Sequence, residues 1–234
     1  TPAARGVPVT VWRRQASEWL AAALQLVFPS HCPACGAAVD IPDAWCADCL
    51  RELWRPRRLD LTERNMAHVR RCQVLTDYSG PVRLLLHGLK FQRRRANAAP
   101  LAWLAGLADE AELAGLWDND TLAVPVPVSA GRLAERGYNQ VTLIFEAWCR
   151  RQGIPWREDC LSRRRATLPQ WELSRRQRAA NIKDAFVVNA SEIVRGHSVL
   201  LLDDIVTTGR TCEECADALQ EAGATAVSCL ALAN

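Results

Sequence analysis

The sequence predicts an α/β protein, a doubly wound parallel sheet in its C-terminal half, with a small cysteine-paired module near the N-terminus. Three observations carry this. Two continuous apolar runs, 198–202 and 225–233, flank a helix-like stretch, 211–223, that Gly223 stops. Strands without polar alternation read as buried on both faces, which is how helices leave a parallel sheet. A third β-type run, 122–128, is likewise followed by a helix-like segment, 138–153, closed by Gly153. Upstream of all this, four cysteines fall into two C-x-x-C pairs.

At 234 residues, 49% hydrophobic and 24% charged, the chain has enough apolar material for a real core, which excludes a disordered chain and suits one domain plus an appendage. Only two lysines, Lys90 and Lys183, stand beside 27 arginines. Arginine is suited to planar recognition of phosphate, although local clustering says more than the overall count. No uncharged apolar stretch reaches the length of about 18 residues that a membrane span needs. The segment 19–28, after Arg13 and Arg14, imitates a short signal peptide but has no small-residue cleavage pattern. An amphipathic helix over roughly residues 11–28 is the better reading. Ten cysteines without an export signal point to a reducing compartment, so a cytoplasmic protein is expected.

The expected organisation is an N-terminal helix within 1–28, a cysteine knuckle at 29–50, a connector with helices at 51–120, and the α/β domain at 121–234. Cys32, Cys35, Cys46 and Cys49 form two pairs separated by ten residues. Four thiolates in this pattern match a closed, tetrahedral structural zinc site, which also gives a coreless knuckle its stability. His31 adjoins the first ligand, but four sulfurs complete the shell. Cys212 and Cys215 form a third C-x-x-C inside a predicted helix and are read as packing residues, as are Cys72, Cys149, Cys160 and Cys229. Residues 50–75 read only as an arginine-rich connector, helical in part. Two helices are expected over 82–91 and 97–116, from apolar repeats near period 3.6.

Asp203 and Asp204 stand where the apolar run 199–202 ends, the edge at which open α/β sheets bind ligands. Two adjacent carboxylates there resist desolvation and persist where hydroxyls, a cation or solvent meet them. Thr207, Thr208, Gly209, Arg210 and Thr211 follow as a short polar turn leading into a helix, whose free amides and dipole favour an anion. Thr211 with Glu214 also fits a capping box, a reading compatible with an anion site. Neither a G-x-x-x-x-G-K-[ST] nor a strand-borne G-x-G-x-x-G is present, which excludes P-loop and dinucleotide readings.

The segment 199–211, VLLLDDIVTTGRT, resembles the signature with which type I phosphoribosyltransferases bind phosphoribosyl pyrophosphate (PRPP). The resemblance implies that Asp203 and Asp204 hold the ribose hydroxyls and that Thr207–Thr211 wraps the 5′-phosphate. Residues 124–140 extend the likeness to the ComF-type proteins of bacterial competence, as their strand, pyrophosphate loop and following helix, with Arg132 and Arg136 in the loop. The stretch 162–181 carries Arg163, Arg164, Arg165, Arg175, Arg176 and Arg178 against one acid, Glu172. Its Arg165, Thr167, Gln170, Arg178 and Asn181 resemble that family's hood-loop pattern. The knuckle opening FPSHCPACG completes a likeness running from Phe28 to Ala233.

The family implies Mg²⁺ bridging pyrophosphate and ribose hydroxyls, and transfer of ribose 5-phosphate to an acceptor. It also implies a role in DNA uptake. No stretch defines the acceptor, so amide nitrogen, nucleobase and nucleic acid stay open. The alternative is a competence factor that binds single-stranded DNA and a partner ATPase or helicase, its PRPP site regulatory or vestigial.

Overall fold

The computed structural model describes residues 29–109, 112–164 and 185–234; the expected helix over 11–28 and the hood residues from Arg165 onward lie outside the described residues. The described residues fall into two compact units that divide after Leu50. No helix among the described residues is long and apolar enough to cross a membrane.

In the first unit, β1 (Ser30–His31) and β2 (Ala38–Val39) pair antiparallel. The turn between them is closed by Gly36 N–H donating to Cys32 O at 2.9 Å and Cys32 N–H donating to Ala37 O at 2.8 Å. α1 (Ala47–Leu53) begins between the second pair of cysteines.

The second unit is built on a five-stranded sheet of β3 (Trp54–Arg58), β4 (Arg71–Thr76), β9 (Ala226–Ala233), β8 (Ser198–Ile205) and β5 (Thr121–Pro125), in that spatial order. All neighbours are parallel except β3 with β4. Between β4 and β5 lie α2 (Gly80–Phe91) and α3 (Ala98–Ala105); β5 leads to α4 (Ala130–Arg136) and α5 (Gln140–Arg151). β6 (Leu161–Arg163) pairs antiparallel with β7 (Phe186–Val188), after which α6 (Ser191–Val194) precedes β8. α7 (Arg210–Glu221) joins β8 to β9.

The absence of polar alternation in β8 and β9 has the expected cause: both faces are covered. Val199 and Leu201 share one buried cluster with Val227, Cys229, Val74 and the Cys212, Cys215, Ala216 and Leu219 stripe of α7. Leu200 and Leu202 turn to the other face by the strand period of two and are fully buried there. That face is covered by α3 and α5, which pack together, with α5 lying on β5 and β8. α5 buries Val141, Ile144, Phe145 and Trp148, the helical i, i+3, i+4, i+7 stripe.

Two stretches depart from the sequence reading. The second expected helix ends at Ala105 with Gly106 as its C-cap, and Leu113 and Leu116 are buried in turns instead. The Asp109 carboxylate accepts from Glu112 N–H at 2.8 Å, a local side-chain bond that competes with continued helix. The connector holds no helix beyond Leu53 among its described residues; it supplies β3 and β4. β3, sequence WRPRR, is an edge strand with a register shift between Trp54 and Arg57, and an edge is where Pro56 and arginines are tolerated.

All four parallel strands end at one edge of the sheet. The chain returning from α5 runs outside β5, with Ala123 N–H donating to Pro155 O and Arg157 N–H donating to Ala123 O, both at 2.8 Å. From β8 the chain leaves the opposite way, through α7 to β9. The ends of β5 and β8 therefore flank a topological switch point, where such sheets open a crevice.

Candidate functional site

Asp203 and Asp204 sit at this edge, 7% and 3% exposed. Asp204 N–H donates to Asp203 Oδ1 at 2.8 Å. Burial, and then the neighbouring Asp204 carboxylate, push the Asp203 carboxyl well above the usual carboxylate range. Asp204 meets a cation: Lys90 Nζ, from the last turn of α2, lies 2.9 Å from its Oδ1. Asp204 Oδ2 is buried and has no hydrogen-bond partner. Sequence reasoning missed Lys90. Its signal was its isolation, one of two lysines in a chain that otherwise uses arginine.

Thr207, Thr208, Arg210 and Thr211 are exposed, and Gly209 is buried among them. With Asp203 and Cys212 they line a hollow just past β8. Gly209 adopts φ +81°, the left-handed region, as the N-cap of α7. A Cβ there would meet Met66 Sδ at 2.4 Å, so glycine is needed for backbone geometry and for Met66 as well as for an approaching ligand. The expected capping box is absent, because α7 starts at Arg210 and Thr211 is already inside it. Glu214 instead accepts from Arg210 Nε at 2.7 Å. Glu213 N–H donates to Gly209 O at 2.9 Å and Arg210 N–H to the Thr208 hydroxyl at 3.4 Å, so the amides of the first turn that face a ligand are those of Thr211 and Cys212, next to the threonine hydroxyls.

Across the crevice, the loop after β5 holds α4, capped by the Ser129 hydroxyl, which accepts from Arg132 N–H at 3.4 Å. Arg132 is exposed, whereas the Arg136 guanidinium donates to the Gln140 side chain. The sequence expected one loop and then a helix opening near Tyr138. The structure places a short helix first and opens α5 at Gln140, with Asn139 as N-cap. The Asn139 side chain accepts from Val141 N–H at 3.0 Å and donates to Val126 O at 3.1 Å, so one residue ties helix to strand. The Tyr138 hydroxyl donates to Leu89 O at 2.8 Å, tying this loop to α2.

The connector reaches the same region. Arg64 donates to Thr207 O through Nη1 and to Asn234 Oδ1 at 3.2 Å through Nη2. His68 Nδ1 lies 2.7 Å from Glu213 Oε1, and His68 N–H donates to Glu213 Oε2 at 3.0 Å. The bond to Glu213 raises the His68 pKa above its ordinary value against partial desolvation. A lone methionine and histidine, with one arginine among many, gave no signal for this cover.

Of the basic stretch, Arg163 is described, its guanidinium 5.6 Å from the Phe186 ring. Arg165, Thr167, Gln170, Arg175, Arg176, Arg178 and Asn181 lie outside the described residues. β6 and β7 pair on either side of that segment, and Leu161 and Phe186 join the core cluster of α7.

The sulfurs of Cys32, Cys35, Cys46 and Cys49 all lie within 4.8 Å of one another, with Cys35 Sγ and Cys46 Sγ 3.6 Å apart. Tetrahedral zinc with Zn–S near 2.3 Å sets sulfurs about 3.8 Å apart, so the cluster fits the ion. Burial, and then the other three sulfurs, push the Cys49 thiol strongly up, as crowded thiols do without a cation. The remaining six cysteines are buried, with Cys212 Sγ and Cys229 Sγ 3.2 Å apart in the core.

Residues 154–234 match the family model of the phosphoribosyl transferase domain, and residues 23–59 match that of the double zinc ribbon domain. The DNA utilization protein YhgH of Salmonella typhimurium is 36% identical over 85% of this chain and 81% of its own length. Its counterpart in Escherichia coli strain K12 is 33% identical over 84% and 80%. Competence protein F of Haemophilus influenzae is 28% identical over 88% and 85%.

Proposed function

Because the chain belongs to the ComF-type family, a phosphoribosyl transferase domain joined to a zinc ribbon, we propose that its crevice binds PRPP and that the protein serves natural competence and DNA uptake. The observation that carries this is the meeting, at one switch point, of the buried Asp203–Asp204 edge with the Thr207–Thr211 turn that opens α7. The turn offers amides and hydroxyls to a 5′-phosphate, and the acid edge offers oxygens to the ribose hydroxyls.

In this reading ribose 5-phosphate passes to an acceptor. The anomeric C–O bond breaks, pyrophosphate leaves with the electron pair, and an acceptor lone pair forms the new bond as its proton passes to solvent or to pyrophosphate. Positive charge develops on the sugar, and the Asp204 carboxylate stabilises it electrostatically. Arg132 and Arg136, with Arg165 and Arg178 of the hood, neutralise pyrophosphate. Mg²⁺ supplies further charge neutralisation when it arrives with the ligand, and the unpartnered Asp204 Oδ2 is an oxygen this chain offers it. Zinc in the Cys32, Cys35, Cys46 and Cys49 set is structural, because four sulfurs leave no open position. With four cysteines given to zinc and the other six buried without disulfides, the compartment in this reading is the cytoplasm.

The test is a PRPP titration in Mg²⁺, followed by thermal stability, on wild type and the Asp203→Asn, Asp204→Asn double variant. Ligand at about 100 times its dissociation constant adds roughly 2.7 kcal/mol to a protein that binds it. The double variant is expected to lose that gain; an equal gain in both proteins refutes the assignment.

A second reading, single-stranded DNA binding beside a partner ATPase or helicase with a regulatory PRPP site, is favoured by the end of α2. Phe91 is 62% exposed, its ring is 4.9 Å from that of His87, and Arg93, Arg94 and Arg95 follow on the surface. Exposed aromatic rings stack bases while guanidinium groups meet phosphates. Affinity for an oligonucleotide that falls steeply with salt supports it, and salt-insensitive affinity contradicts it.

A further inference from the structure

We propose that Arg58, Arg70 and Arg71 form a binding site for the phosphodiester backbone of a nucleic-acid strand, at the edge of the sheet opposite the crevice. The site requires neither PRPP nor the exposed rings of α2.

The first observation is convergence. Arg58 closes β3, Arg71 opens β4 and Arg70 precedes it, so all three stand where the parallel strands begin, away from the acid edge where they end. Their guanidinium groups meet on two consecutive carbonyls of the loop that leads into β5. Arg71 Nη1 donates to Ala114 O at 2.9 Å and Arg58 Nη2 donates to the same oxygen at 3.4 Å, while Arg70 Nη2 donates to Gly115 O at 3.4 Å.

The second is the missing counter-charge. Among the described residues none of the three arginines forms an ion pair. Carboxylates of the same loop are committed elsewhere: Asp109 accepts from Glu112 N–H at 2.8 Å, Glu112 from Trp54 Nε1 at 3.1 Å, and Asp118 from the Thr121 and Ser198 hydroxyls at 2.8 Å and 2.9 Å. Asp118 does sense Arg70 at longer range. Its carboxyl is held below the usual range first by those two hydroxyls and last by the Arg70 charge. One carboxylate at a distance does not offset three cations held together, and backbone carbonyls bring only partial charge.

The third is preorganisation. Gln73, buried in β4, donates from Nε2 to Glu112 O at 2.8 Å and so fixes the loop to the sheet. Gly115 adopts φ +76°, and a Cβ there would collide with the Arg71 guanidinium, so this turn is shaped to seat that side chain. A guanidinium has five donors and each bond above uses one, which leaves most of every fork for a ligand. Forks already held in place lose little freedom on binding.

Exposure and arrangement identify the ligand. Arg58 and Arg70 are exposed and Arg71 is partly buried. Arg55, also exposed and free of ion pairs among the described residues, continues the row along β3. Guanidinium forks match phosphate geometry, and a row of them on an open edge fits the successive phosphates of a strand, whereas a single small anion needs donors that enclose it. Such contacts position a strand without reading its bases.

The test uses the full zinc-loaded chain and a single-stranded abasic phosphodiester oligomer, which has phosphates but no bases, with affinity read by fluorescence anisotropy across a salt series. Wild type is compared with Phe91→Ser and with the triple variant Arg58→Gln, Arg70→Gln, Arg71→Gln. Wild type is expected to bind, and the triple variant to lose about two from the log–log salt slope, at about 0.7 per single-strand phosphate, with about tenfold or more in affinity at low salt. Phe91→Ser is expected to keep both, because the oligomer has no base to stack. Failure of wild type to bind, or a triple variant with the wild-type slope, overturns the site. Displacement of the oligomer by inorganic phosphate at constant ionic strength overturns the strand as its ligand. Folding of the variant is read from its zinc content and its unfolding transition, so the PRPP and base-stacking readings do not enter the outcome. Should the triple variant not fold, Arg70→Gln alone decides, with an expected slope change of about 0.7.

Discussion

Met66 packs directly onto Gly209: a Cβ at residue 209 would come within 2.4 Å of the methionine sulfur and 2.8 Å of its Cγ. An unpatterned connector thus covers the turn that opens α7.

Gly209→Ala should therefore destabilise the protein twice over, through its φ of +81° and through the clash. A non-glycine residue held in that region costs about 1–3 kcal/mol. Urea unfolding is expected to show that loss, and Met66→Ala in the same chain to restore only part of it. Full recovery would assign the whole effect to Met66 and none to the backbone.

The His68–Glu213 pair gives a pH dependence. The folded-state pKa of His68 is raised, chiefly by its hydrogen bond to the Glu213 carboxylate. A group raised on folding contributes stability that is fully present below its unfolded pKa, about 6.5 for histidine, and is lost as pH rises through the folded value. His68→Ala should thus cost more stability at pH 6 than at pH 8.5 by urea unfolding. The side chain is 42% exposed, so the difference is expected to be small and to shrink with salt. An equal cost at both pH values would show that the pair holds no charge.

Asn139 joins α5 to β5 through bonds at 3.0 Å and 3.1 Å while only 6% exposed. Asn139→Ala removes an N-cap and strands the Val126 carbonyl, for an expected loss of about 1–2 kcal/mol. Chemical denaturation measures it directly. A change under half that size would mean that water replaces both bonds.

For the cysteine cluster, one zinc per chain is expected by elemental analysis. Cys35→Ser with Cys49→Ser is expected to abolish it, since a structural site does not survive the loss of two of four ligands. Retention of stoichiometric zinc in that variant would place the ion elsewhere.

The parallel sheet and the acid edge were legible because their signals are local. An apolar run such as Val199–Leu202 reads as a strand covered on both faces, and an acidic pair closing it marks the ligand edge. The connector was illegible for the opposite reason. β3 is a five-residue edge strand of arginines and proline, and it is fixed by pairing with a strand some fifteen residues away. Lys90 and Arg64 reach the crevice through tertiary contact alone, with Asp204 114 residues beyond Lys90 in sequence and Thr207 143 beyond Arg64. No window of sequence spans such pairs. The capping box at Thr211 was a match of residue types that α7 bypasses by starting earlier, on Gly209.

The most direct measurement is a crystal structure of the zinc-loaded chain grown with PRPP. The account predicts the 5′-phosphate within hydrogen-bonding distance of the amides and hydroxyls of Thr207–Thr211, with the ribose hydroxyls on Asp203 and Asp204. Density for the ligand at any other place, or a crevice left unfilled at saturating PRPP, contradicts it.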